Sequence, residues 1–74
     1  MAEQSDELTK LVTVASDMGF SAELRTKAIK QIGNIYTREA LLALLELAAN
    51  EGLVKKEREL ALKYAREIIR SSRG

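Results

Sequence analysis

The sequence contains no cysteine, no histidine, no proline and no tryptophan. Without Cys there is no disulfide to brace the chain and no thiolate to bind a metal or attack a substrate. Without His, the commonest general base and the commonest metal ligand are both missing. Aromatics are scarce, with two Tyr and one Phe. Tyr36 and Tyr64 read as interior residues, so no platform for stacking nucleic-acid bases is expected. No apolar run approaches the roughly 18 residues of a membrane-spanning helix. The opening stretch MAEQSDELTK is polar and acidic, unlike a signal peptide. These absences lead to the expectation of a soluble, cytoplasmic chain with no membrane partner. The formal charge of +1 does not by itself suggest a polyanion partner. The 31% of charged residues, beside absent Cys and His, would suit a thermophile.

What is present is periodic. The 74 residues allow one domain, 1–74. A chain of this size buries only about 60% of its unfolded surface, so its stability margin is modest. Displacing the sequence by 33 positions pairs Leu8 with Leu41, Leu11 with Leu44, Gly19 with Gly52, Arg25 with Arg58, Ala28 with Ala61 and Ile35 with Ile68, without a gap. Each unit reads as two helices. Ser5 or Asp6 is expected to cap a first helix carrying Leu8, Leu11, Val12, Ala15 and Met18, with Gly19 stopping it in the left-handed conformation. Ser21 caps a second, with Leu24, Ala28, Ile32 and Ile35 as its apolar stripe. Thr37 caps a third over 38–50, ended by Gly52. The fourth runs from about 54 to 71, leaving 72–74 as a frayed tail. The expected fold is all-α: four antiparallel helices in two tandem hairpins, residues 5–36 and 37–71.

The stretch Leu24-Arg25-x-x-Ala28-x-x-x-Ile32-Gly33-x-Ile35 resembles the second helix of HEAT repeats, commonly V-R-x-x-A-x-x-A-L-G-x-I. The second unit follows more loosely: Glu57 stands before Arg58 in place of an apolar residue, and Arg66 replaces the Gly. The resemblance covers nearly the whole chain and implies a short α-solenoid. It also implies that each Arg reaches a residue in the preceding turn, Arg25 to Asp17 and Arg58 to Asn50. Gly33 is expected to let two helices approach closely.

The third helix, REALLALLELAA, is apolar around well over half of its circumference and calls for cover on several sides. Two repeats supply few neighbours, whereas solenoids need about three. Either the four helices wrap their own ends and leave Leu42, Leu47, Leu62 or Ile69 partly exposed, or a second copy covers these residues in a homodimer.

Charge is distributed unequally. The first helix of each unit is acidic and the second basic. Lys56, Lys63 and Arg70 recur every seven residues on the fourth helix. With Lys27, Lys30 and Arg66 they outline a basic face suited to phosphates or an acidic protein. They equally suit solvated intrahelical pairs such as Glu59–Lys63. No phosphate loop, metal-ligand spacing or nucleophile–base pair is present. The expectation is a non-enzymatic protein-interaction or assembly module, without cofactor, metal or small-molecule substrate; the alternative is a nucleic-acid-associated protein using the basic face.

Overall fold

The computed structural model describes the backbone of residues 2–73 and the side chains of residues 6–71. Four α-helices form all of the regular structure there: α1 (Ala2–Ser16), α2 (Ala22–Gly33), α3 (Arg38–Ala49) and α4 (Lys55–Arg73). Their boundaries follow from local chemistry. Ser21 is extended, and its side chain accepts a hydrogen bond from the Leu24 amide at 3.2 Å. Thr37 does the same for Ala40 at 3.1 Å. Both caps satisfy a helix N–H that would otherwise have no partner. The expected cap at Ser5 or Asp6 does not form, because α1 begins earlier and both positions lie inside it; the Ser5 side chain is outside the described residues. The expected frayed tail is likewise replaced by helix through Arg73, and Gly74 lies outside the described residues.

The turns also differ from expectation. Neither Gly19 nor Gly52 is left-handed. Their amides donate instead to the side chains two residues earlier, Gly19 to Asp17 Oδ1 at 2.8 Å and Gly52 to Asn50 Oδ1 at 2.9 Å. The same turn is thus built twice, and a short side-chain acceptor closes it. Among the described residues the one non-glycine with positive φ is Tyr36, at 56°, between α2 and α3. A left-handed tyrosine is unusual. It is also largely exposed, so the expectation of an interior Tyr36 is wrong. Its neighbour Ile35 bonds back to the Ile32 carbonyl, and Thr37 must leave extended to cap α3, so the chain reverses at the residue between them.

α1 pairs with α2 and α3 with α4; α2 then packs on α3 and α4, while α1 and α4 do not touch among the described residues. The smallest dimension of the molecule is 17 Å. This is the thickness of two helical layers separated by about 8–10 Å. Ile29, Ile32 and Leu44 are the largest fully buried side chains, joined by Ala28, Ala61 and Ala65, which allow close helix approach. The buried stripe of α2 is Arg25, Ala28, Ile29, Ile32 and Gly33. Leu24, expected on that stripe, faces out, and the arginine beside it faces in.

α4 lacks the cap that its counterpart has. Val54 occupies the position equivalent to Ser21, and its carbonyl accepts the amides of Glu57 and Arg58. Its side chain has no acceptor to offer. Val54→Ser should therefore stabilise the chain by about 1 kcal/mol, read as a higher urea midpoint with an unchanged slope. A destabilised variant would show that Val54 contributes more by packing than a cap would by hydrogen bonding.

Candidate functional site

Arg25 is 5% exposed and forms a two-pronged pair with Glu57, which is equally buried. Its Nε donates to Glu57 Oε1 and one terminal nitrogen to Oε2, both at 2.9 Å. The other terminal nitrogen donates to the Phe20 carbonyl. Hydrogen bonding to Glu57 raises the Arg25 pKa above its ordinary value; burial opposes this, and the Glu57 charge adds to it. The guanidinium fork matches the carboxylate geometry and leaves no prong empty. The expected tie of Arg25 to its preceding turn is made, but to the Phe20 carbonyl and not to Asp17, and the other two nitrogens reach forward to Glu57 of the next hairpin. No hydrogen bond joins Arg58 to Asn50 among the described residues, and Asn50 accepts from the Gly52 amide.

Arg58 is the unusual side chain. Its Nε is buried and has no hydrogen-bond partner among the described residues. A buried donor without an acceptor is rare in a folded protein and calls for an explanation. The equivalent atom of Arg25 is held by Glu57, from the hairpin packed beside it. No described residue stands in that relation to Arg58.

α2 and α4 also approach closely at Gly33, about two turns along α2 from Arg25. A Cβ on Gly33 would sit 2.6 Å from Tyr64 Cγ and 2.7 Å from Cδ1. The expectation that Gly33 permits close approach holds, and the approaching group is the Tyr64 ring of α4.

Of the basic residues singled out, Lys27, Lys30, Lys56, Lys63, Arg66 and Arg70 are all exposed on α2 and α4. Lys27 lies 3.9 Å from Glu23, a weak solvated pair. Of the apolar residues assigned to self-association, Leu42 and Ile69 are exposed and Leu62 is half-buried. Leu47 is not available: it is buried in the core with Leu44, on the side of α3 that meets the other helices.

An apolar surface that the sequence reading missed lies at the α1–α2 turn. Met18, Phe20 and Leu24 are all exposed. Their status is clear only by comparison across the two hairpins. Phe20 is 38% exposed and its counterpart Leu53 5%; Leu24 is 46% exposed and its counterpart Glu57 5%. The displacement by 33 residues carried this signal, because it set Leu24 opposite a glutamate.

An open groove of about 380 Å³ runs between the starts of α2 and α4, lined by Ala22, Thr26, Val54, Lys56, Glu57 and Leu60. Its walls are mainly apolar, and the Glu57 carboxylate turns away into Arg25. No group of three or more acidic side chains converges on a metal-sized space among the described residues. No described helix is long and apolar enough to cross a membrane. No protein-family model, curated protein sequence or solved structure matches this chain.

Proposed function

We propose that this chain is a non-enzymatic helical-repeat module of the HEAT-like type, which assembles through the ends of its helical stack. Its first partner is a second copy of itself, met at the Met18–Phe20–Leu24 end. The exposure contrast between the two hairpins carries this reading. The second hairpin has its Leu53 buried and its Glu57 paired with Arg25 of the first, whereas the first leaves Phe20 and Leu24 exposed. Covering such a side chain fully is worth about 1.5–3 kcal/mol relative to leaving it exposed.

Sedimentation velocity across a wide concentration range tests the reading. The expected result is concentration-dependent association that added salt leaves unchanged. The double substitution Phe20→Asp with Leu24→Asp should abolish it without loss of helical signal. A chain that remains monomeric at millimolar concentration would overturn it.

The six exposed basic side chains on α2 and α4 favour a second reading, phosphate contact with a nucleic acid. Adding a labelled DNA duplex to the same experiment separates the two. Phosphate binding should weaken with a log–log salt slope near −0.9 per phosphate contacted. It should disappear in Lys63→Glu with Arg70→Glu, changes that leave apolar self-association intact.

A further inference from the structure

Among the described residues, backbone strain is confined to the joint between the two hairpins. Tyr36 is the non-glycine with positive φ, and it lies in the turn that joins α2 to α3. The turns inside the hairpins are closed differently, by Asp17 and Asn50 accepting the Gly19 and Gly52 amides. A side chain in the left-handed region crowds its Cβ against a carbonyl oxygen. Such strain persists only where the surroundings enforce it. The Tyr36 ring is 49% exposed, so packing of the ring does not enforce it. The fold-back itself does. Ile35 is tied to the Ile32 carbonyl and Thr37 to the Ala40 amide, and Tyr36 reverses the chain between them.

The contacts that join the hairpins do not depend on that turn. Arg25 meets Glu57, Gly33 admits Tyr64, α1 touches α3, and α2 packs on α3 and α4. Each hairpin also keeps its own pairing, α1 with α2 and α3 with α4. The same contacts form if the first hairpin comes from one copy and the second from another. No proline interrupts residues 22–49, so the opened joint can run as one helix, about 42 Å long at 1.5 Å per residue. Two such helices, side by side and antiparallel, place each α2 against the other copy's α3.

We infer that two copies of this chain exchange hairpins through the Tyr36 joint, so that each Arg25 pairs with Glu57 of the partner subunit. The exchanged dimer rebuilds the contacts between hairpins and relieves two strained turns. Short hinges under strain favour exchange for this reason. Association through the Met18–Phe20–Leu24 end is a different event, which leaves each chain closed, so either can fail alone.

The test is complementation between two full-length variants. Arg25→Met alone leaves a buried carboxylate without its cation, and Glu57→Leu alone leaves a buried guanidinium without its carboxylate. The two chains are mixed equally, unfolded in urea and refolded at high concentration. In an exchanged dimer one interface carries both substitutions and the other carries neither. The mixture should therefore regain the urea midpoint of a single chain bearing both substitutions, and sediment as a dimer. A mixture that melts as the sum of its two components would overturn the inference. Wild-type chain refolded at millimolar concentration should leave a dimer that survives dilution and that Phe20→Asp with Leu24→Asp does not remove. Tyr36→Gly accepts the left-handed turn without strain, so it should raise the dissociation constant of that dimer about tenfold or more. Refolding that yields only monomer, a dimer lost with the Phe20 and Leu24 substitutions, or a dimer indifferent to Tyr36→Gly would overturn the inference as well.

Discussion

Glu57→Ala should be the most damaging single substitution in this chain. The change removes a carboxylate that is 5% exposed and leaves the Arg25 guanidinium buried opposite an apolar methyl group. Breaking a buried pair from one side costs about 3–5 kcal/mol. A chain of this length has roughly 4–11 kcal/mol in total, at about 0.05–0.15 kcal/mol per residue. The change should therefore remove from about a quarter of that margin to all of it, seen as a large drop in the urea midpoint. Glu57→Gln keeps the shape and one acceptor oxygen, so it should fall between the wild type and Ala. The paired change Arg25→Met with Glu57→Leu should recover most of the loss, because neither charge then remains to be desolvated. If Glu57→Ala melts like the wild type, the pair is not buried in solution as it is here.

Gly33→Ala should destabilise, although the same change at an exposed helical site gains up to about 1 kcal/mol in helix propensity. The new methyl would lie 2.6 Å from Tyr64 Cγ, 2.7 Å from Cδ1 and 3.0 Å from Cβ. These atoms are near the root of the side chain, so the ring cannot swing clear, and α4 must move off α2. Overpacking of this kind costs about 1–3 kcal/mol. The shift would also disturb the Arg25–Glu57 pair, about two turns away along the same interface. A double-mutant cycle with Tyr64→Ala provides the check. In the Tyr64→Ala background Gly33→Ala should cost much less, since only the Cβ at 3.0 Å remains to be met, giving a coupling of about 0.5–3 kcal/mol. Gly52→Ala is the control: its added Cβ meets only Asn50 Oδ1, at 3.2 Å, in an exposed turn. Additive effects in the cycle would mean that the two residues do not touch.

The resemblance to HEAT repeats pointed to a tie between Arg25 and its preceding turn, and the Phe20 carbonyl supplies one. It correctly singled out Arg25 and Gly33 as the unusual pair on α2. It named Asp17 as the residue met in that turn, whereas Asp17 accepts from the Gly19 amide and the carboxylate that meets Arg25 comes from the next hairpin. The partner, Glu57, was visible in the sequence as a departure from the family pattern. It stands where an apolar residue is usual because it faces Arg25 across the hairpin boundary. Leu24, the apolar residue that fits the pattern, has nothing to face and is exposed.

Four helices, their pairing into two hairpins, the caps at Ser21 and Thr37 and the tight approach at Gly33 were legible from residue order. Each depends on groups within a few positions of one another or on a periodicity that marks a face, and such interactions survive in almost any packing. The partner of Arg25, the burial of Leu47 beside the exposure of Leu42, the outward Tyr36 and the unpaired Arg58 Nε were settled by tertiary structure alone. Arg25 and Glu57 are 32 residues apart. Periodicity marks a charged residue as solvated, and only the seating of α4 on α2 removes the water that would otherwise compete for both charges.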